Sequence, residues 1–405
     1  MNTQYSRLTY RQIKPIDKST TTSDYYDVVI IGAGIQGAGV AQAAAVCGYK
    51  TLVIEKYPRA GMGTSCKSSK LIHGGLRYLE NGQFSLVKEC LLERKRLLKN
   101  APELVKLIPF YIPVYSHSSR PSWMIWLGLS IYTLFSFIPF KIINKSQWPL
   151  LDNIKTTNLK CVFKYYDAQT DDQLLTQSVA KSAQDHGATF IYSADFIDSI
   201  FERELHLVRY IKDKKSHSIK SKYIINCSGP WIKETQEKIH PKLNIPSIEL
   251  ISGSHIVIDA KTTQGAYYLE TKDKRAVFVI PWKEKYTLIG TTETLHTDTA
   301  DNVFATKKDI DYLVDVYNKN FNSSISSKDI IYTFCGLRVL PKGNVSAFNK
   351  ARDSLIVEDE SFPSLIALVG GKLTAYRASA ELVISKIKIQ NKPAKKNTRK
   401  TRLSI

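Results

Sequence analysis

Short apolar runs alternate with glycine turns and helical patterns along this chain. Residues 27–31 (DVVII) form a near-continuous apolar run with β-branched members, the pattern of a parallel strand buried on both faces. Gly32, Gly34 and Gly37 follow with the spacing G-x-G-x-x-G. The first glycine permits a tight turn, the second lets backbone approach a pyrophosphate, and the third lets helix and strand pack closely. Residues 38–46 read as an alanine-rich helix ending at Gly48, and 51–54 as a second strand with Glu55 at its carboxyl end. The helix N-terminus would offer its amides and dipole to phosphates, and Glu55 stands where a carboxylate receives ribose hydroxyls. An acid there argues against the 2′-phosphate of NADP. The unit leaves FAD and NAD open, and a glycine-rich turn without a ligand is its plain alternative.

Beyond Glu55, residues 56–70 are rich in Gly, Ser and Thr, a loop able to serve a cofactor or merely to connect. In 71–80 (LIHGGLRYLE) a glycine pair precedes Arg77 and Tyr78. An arginine beside such a break can bind phosphate or carboxylate bidentately, and a solvated arginine on a turn is equally consistent. Residues 84–100 have helical periodicity, with Phe84, Val87, Leu91, Leu92 and Leu98 apolar and Arg94, Lys95, Arg96 and Lys99 on a basic face. The uncharged run 123–140 (WMIWLGLSIYTLFSFIPF) fits a buried helix pair, a helix lying on a membrane surface, or a short span. A helix is expected over 171–186, a strand over 189–192, and a polar hairpin over 197–210 followed by a lysine-rich turn at 212–215. The strand 223–227 then ends in Ser-Gly-Pro-Trp, a glycine turn at a strand's carboxyl end, where open α/β sheets bind ligands. Residues 248–258, 276–281 and 286–290 are β-rich, 309–320 helical, and 330–334 a strand leading to Gly336-Leu337-Arg338. Arg352 follows. A buried strand at 365–369 enters Gly-Gly-Lys-Leu-Thr-Ala-Tyr-Arg and a helix over 378–389.

Three separated segments thus repeat strand, glycine and helix. The expected fold is α/β: a Rossmann-like nucleotide-binding domain assembled from discontinuous segments, with an inserted antiparallel-sheet substrate domain. Its parts are 25–110, 166–235 and 351–390. An apolar, membrane-proximal segment occupies 111–165 and the substrate domain 236–350, while 1–24 is a loose extension and 391–405 a basic tail.

Composition describes an ordinary globular chain, 43% hydrophobic and 23% charged, which excludes a disordered one. The formal net charge of +20 is unusual and implies an anionic partner: phospholipid, a phosphorylated substrate or nucleic acid. Part of it crowds the end, from Lys386 to Arg402, and reads as a solvated terminus. No nucleic-acid motif is present, so no specific nucleic acid is expected. The six cysteines contain no C-x-x-C pair, which argues against a zinc or disulfide framework and for a reducing cytosol. No metal site is expected, and the polar N-terminus lacks the apolar core of a secretory signal.

At SSKLIHGGLRYLE (68–80), SGPW (228–231), GSHIV (253–257), DKRAVFVIPW (273–282), IGTTE (289–293) and GGKLTAYR (370–377) the sequence resembles the FAD-dependent glycerol-3-phosphate dehydrogenases, of the D-amino-acid-oxidase type of flavoprotein fold. The resemblance implies FAD bound by Gly32, Gly34, Gly37, Glu55, Ser68, Ser69, Gly371, Lys372, Leu373 and Thr374. It implies a small phosphorylated substrate held by Arg77, Tyr78, Arg338, Arg352 and Lys372, with His255 and Arg338 catalytic. His255 would orient or deprotonate the alcohol, since imidazole titrates near operating pH; a satisfied core histidine is the bland alternative. The implied reaction is oxidation of sn-glycerol 3-phosphate to dihydroxyacetone phosphate, with electrons passed to a quinone by a cytoplasmic protein at the inner face of the membrane. A related oxidase or dehydrogenase for another hydroxy or amino acid, or a low-activity flavin-binding paralogue, is the alternative. The chain departs from the family at Ala33, Ala43 and Cys47 of the first signature, at Lys67, and around Cys335–Pro341. The helical domain that follows the last motif in many relatives is not expected here.

Overall fold

The computed structural model describes residues 25–342, 354–389 and 397–404. Arg352, the 1–24 extension and much of the basic tail lie outside these residues.

The first sheet is built on parallel pairing of the apolar runs. Tyr25–Ile31 lies between Lys215–Asn226 and Thr51–Ile54, Thr189–Ile191 continues beyond Thr51–Ile54, and Leu365–Val369 pairs the end of Lys215–Asn226. Ile30 sits opposite Ile225 and Val53, so the centre is apolar on both faces. Helix α1 (Ile35–Val46) crosses from the first strand to the second and is almost wholly buried. Its small residues permit that. A Cβ on Gly39 would come within 2.6 Å of Tyr376, and one on Gly37 within 1.9 Å of the Gly32 carbonyl oxygen. The expected polar hairpin is a three-stranded meander, Ala194–Glu202, Leu205–Lys212 and Lys215–Asn226. Its tight turns hold Arg203, Glu204, Asp213 and Lys214 at positive φ.

The second sheet is mainly antiparallel. Thr294–His296, Ile248–Ile258, Tyr286–Gly290, Ala276–Trp282, Ala266–Glu270, Val105–Tyr115, Leu159–Thr170 and Leu71–Ile72 follow in that order, with Ile330–Pro341 also paired to Ile248–Ile258. The strand expected at 330–334 runs on to Pro341 because it pairs with Ile248–Ile258 along its whole length. Strands from 71–170 enter this sheet as well as those from 248–341. Helix α2 (Phe84–Asn100), with the expected bounds, and α3 (Ser122–Ser136) pack Val87, Leu91, Leu129 and Tyr132 against one face, on Phe110, Phe163 and Tyr165.

Helix α4 (Asp172–Asp185) is capped by Asp171, whose carboxylate accepts from the amides of Gln173 and Leu174. A short helix, α5 (Ile232–Glu237), follows the Ser-Gly-Pro-Trp turn. Helix α6 (Lys307–Asn320) covers the second sheet's other face with Leu313, Val316 and Tyr317, against Ile256, Tyr267 and Ile289. Helix α7 (Tyr376–Ser385) begins earlier than the expected 378–389 and packs with α4 against α1.

Two expectations change. The run 123–140 is not a buried helix pair: α3 buries only Leu129 and Tyr132, and Trp123, Trp126, Leu127, Leu134 and Phe137 are exposed. Among the described residues no helix is long and apolar enough to cross a membrane. Nor is the end of the chain merely solvated. Thr398 donates to Glu381, Leu403 N–H donates to the Asn100 carbonyl at 2.8 Å, and Leu403 is buried, while Arg399, Lys400 and Arg402 stay exposed.

Candidate functional site

Residues from both sheets line a cavity of about 570 Å³. At one end lie Gly32, Gly34 and Glu55. Gly32 has φ +98°, and a Cβ there would stand 2.8 Å from the Cys227 carbonyl oxygen, so the turn requires glycine. Glu55 accepts from the backbone amides of Ala33 and Tyr57. Burial pushes its carboxyl up, against the opposing pull of those amides and Lys56. Gly37 does not line the cavity; it serves the close packing of α1 on the first strand.

Further along the wall come Ser68 and Ser69, then Gly371, Lys372, Leu373 and Thr374. Gly371 has φ +112°, and a Cβ there would meet the Gln36 amide nitrogen at 2.2 Å. The Gln36 oxygen is buried without a hydrogen-bond partner, and its amide reaches the Lys372 carbonyl at 3.4 Å. An unspent buried acceptor beside glycine-lined backbone is what a polar ligand satisfies. The glycine turn at Gly32, the Glu55 carboxylate and the open Gln36 acceptor beside Gly371 together fit FAD.

At the far end, His255 pairs in register with Gly290 on one neighbouring strand and with Phe334 on the other. Its ring stacks on Phe334, with centroids 4.7 Å apart and an interplanar angle of 12°. Gly290 makes room on the other flank, where a Cβ would lie 2.1 Å from His255 Cδ2. Nε2 is 2.9 Å from the Ser69 hydroxyl, and Nδ1 is buried without a hydrogen-bond partner. Burial, then the cations Arg338 and Lys70, hold the imidazole well below its ordinary pKa, so it is neutral at physiological pH.

Three arginines converge beside it. Arg338 donates to Glu293 at 3.1 Å and to the Thr291 hydroxyl at 3.3 Å. Arg77 approaches the same carboxylate at 4.0 Å, and Arg275 donates to the Glu293 backbone carbonyl at 3.0 Å. Tyr78 is buried at the cavity wall, and the Lys372 ammonium lies 4.4 Å from its ring centroid. A cationic end beside a neutral imidazole can hold a dianion and accept a proton from a neighbouring hydroxyl.

The structure therefore brings the described site residues of the sequence reading to one cavity, Gly37 apart. Arg352 lies outside the described residues. Glu293, Arg275, Thr291 and Gln36 were not singled out, although three of them stand inside the quoted IGTTE and DKRAVFVIPW segments. A carboxylate closing the IGTTE motif was the available signal for Glu293. Among the described residues no group of His, Cys, Asp and Glu could hold a metal ion.

Comparisons with known proteins agree. The family model described as FAD dependent oxidoreductase matches residues 27–377. The glycerol-3-phosphate dehydrogenase of Pseudomonas aeruginosa is 34% identical over 386 residues, covering 91% of this chain and 73% of that protein. The D-erythritol 1-phosphate dehydrogenase of Brucella abortus is 34% identical over 379 residues, covering 89% and 73%. Among solved structures, the glycerol-3-phosphate dehydrogenase of Bacillus halodurans complexed with FAD superposes with a TM-score of 0.73 at 26% identity, covering 94% of this chain and 68% of that one.

Proposed function

Because the chain belongs to the FAD dependent oxidoreductase family, we propose that it oxidises sn-glycerol 3-phosphate to dihydroxyacetone phosphate. The observation that carries this reading is the convergence of Arg77, Arg275 and Arg338 around Glu293 in the same cavity as a neutral His255. FAD, when bound, supplies the hydride acceptor. Gly32, Gly34 and Glu55 would hold its dinucleotide half, with Ser68, Ser69 and 371–374 along the rest, and Gly37 keeping α1 in place. Arg77 and Arg338 would bind the phosphate dianion, with Tyr78, Lys372 and Arg352 completing its surroundings. His255 would take a proton at Nε2 from the Ser69 hydroxyl, 2.9 Å away on the cavity wall, which would in turn take the proton of the substrate hydroxyl. A low-pKa imidazole is a weak base in the empty site, and a bound dianion raises its basicity by opposing Arg338 and Lys70.

Dye-coupled turnover with a panel of alcohols tests this. Glycerol 3-phosphate should be oxidised and unphosphorylated glycerol should not, and Arg338→Ala should raise KM by about tenfold to a hundredfold, the loss of a charge-assisted hydrogen bond. An unchanged KM removes Arg338 from the phosphate site. The Brucella relative motivates a second reading, a longer polyol phosphate, which erythritol 1-phosphate in the same panel would reveal. Peroxide formed from an amino or hydroxy acid would mark an oxidase instead.

Electrons would pass to a quinone from a protein held at the inner face of the cytoplasmic membrane. Support comes from the exposed apolar face of α3, with Trp123, Trp126, Leu127, Leu134 and Phe137, together with a net charge of +20. Flotation with anionic liposomes should carry the protein, and Trp126→Glu with Leu134→Glu should release it; flotation by the double variant removes α3 as the docking face.

A further inference from the structure

The loop that presents Ser69 to the cavity is fastened by a buried ion pair between Asp172 and Lys70. Asp172, the first residue of α4, is fully buried. Its Oδ1 accepts from Lys70 Nζ at 2.6 Å. Its Oδ2 accepts from the Ser68 amide at 3.0 Å and the Ser68 hydroxyl at 2.7 Å. The Ser68 hydroxyl in turn accepts from the Lys70 amide at 2.9 Å, and Lys70 Nζ also donates to the Cys66 carbonyl at 3.0 Å. Both chain neighbours of Ser69 are thus tied to one carboxylate.

Two further observations make this more than a stabilising contact. Lys70 has φ +57°, a left-handed conformation uncommon for a side chain other than glycine. Its ammonium also lies 5.2 Å from the centroid of Phe334, the ring on which His255 stacks, and 4.9 Å from that of Trp282. Ion pair, loop and imidazole therefore form one packed unit, and the unit ends at the 2.9 Å contact between Ser69 Oγ and His255 Nε2.

We propose that Asp172 and Lys70 are positioning residues: their buried ion pair locks residues 68–70 so that the Ser69 hydroxyl engages His255 Nε2 and fixes the orientation of the imidazole. The inference rests on the role given to His255 above. A salt bridge buried this deeply is weak evidence of a gain in stability, because desolvation offsets much of the attraction. A role in holding one geometry accounts for its place beside the imidazole, since small misplacements of a reacting group are costly to rate.

The test uses FAD-loaded protein carrying ¹⁵N-histidine, with the His255 Nε2 resonance assigned by its loss in His255→Asn. Asp172→Asn combined with Lys70→Met neutralises the pair without stranding a charge. Its Nε2 resonance should move in the same direction as in Ser69→Ala. Its kcat should fall tenfold or more with KM within threefold, and adding Ser69→Ala should lower kcat no further. Ser69→Thr should restore the wild-type resonance. A neutralised pair with a wild-type resonance overturns the proposal, as does a loss that multiplies with that of Ser69→Ala. Should the pair variant fail to fold, Asp172→Glu decides: it keeps the charge and lengthens the arm, so a shifted Nε2 resonance with KM within threefold supports the proposal, and an unshifted one overturns it. The resonance is read without turnover. A wild-type enzyme inactive on glycerol 3-phosphate therefore sinks the functional reading alone, and an unmoved resonance in an active enzyme sinks only this inference.

Discussion

Tyr132→Phe removes one oxygen from the junction of α3 and the loop that runs through Gly74 to Arg77, and its effect can be worked from the structure. The Tyr132 hydroxyl accepts from the Gly74 amide at 2.9 Å and donates to Asp167 Oδ2 at 2.7 Å. Both Tyr132 and Asp167 are buried, and Asp167 otherwise depends on Arg94, which pairs with its Oδ1. Phenylalanine keeps the ring packing on Tyr165 and leaves the Gly74 amide with only a 3.4 Å contact to Asp167 Oδ1. A stranded buried amide costs about 1–3 kcal/mol, and a lost hydrogen bond to a charged carboxylate about 1.5–3 kcal/mol; residual contacts bring the sum to roughly 2–4 kcal/mol. With an unfolding entropy of roughly 0.8 kcal/mol/K for a chain of this size, the thermal midpoint falls by about 3–5 °C. Because Gly74 precedes Gly75 and Arg77, the loosened loop also raises substrate KM about threefold to tenfold while FAD stays bound. Differential scanning fluorimetry of the FAD-loaded variant and dye-coupled kinetics measure the two effects. A midpoint within 1 °C of wild type together with an unchanged KM would refute the claim that this hydroxyl supports the loop.

Gly290→Ala places a methyl 2.1 Å from His255 Cδ2. The imidazole must move, and kcat should fall about a hundredfold with flavin content retained; wild-type kcat would mean that the ring position is unimportant. His206 provides a pH effect. It is fully buried, its Nε2 is 2.9 Å from the Ser364 hydroxyl, and burial lowers its pKa from 6.5 to about 4. The unfolded chain therefore takes up a proton before the native protein does. Stability falls as pH drops from about 6.5 towards 4, by up to about 3 kcal/mol. In His206→Gln the thermal midpoint should lose less than wild type between pH 7 and 5, and parallel curves would show that His206 is not the group responsible.

Much of this was legible because the first sheet is made of consecutive apolar strands with glycine at their ends. Residues 27–31, 51–54 and 365–369 announce themselves by composition alone, and Phe84–Asn100 by its period. The pair Val105–Tyr115 and Leu159–Thr170 did not. Pro109 and Pro113 interrupt the first, while the adjacent Tyr165 and Tyr166 on opposite faces of the second mask its alternation. These two long strands of the second sheet were therefore invisible. The glycine-lined wall of the cavity could be read because glycine spacing encodes backbone geometry. Glu293 and Asp172 could not, since a carboxylate's role depends on which distant cations it meets: Arg77 and Arg338 for one, Lys70 for the other. The charge excess at the chain end likewise hid the docking of Thr398 and Leu403, which side-chain charge does not report.

Anaerobic titration of the purified, FAD-loaded protein with sn-glycerol 3-phosphate tests the central claim most directly. The account predicts bleaching of the oxidised flavin absorbance with one equivalent of dihydroxyacetone phosphate formed per flavin, and none with glycerol. A flavin that remains oxidised at millimolar glycerol 3-phosphate, in protein that dithionite reduces, would contradict it.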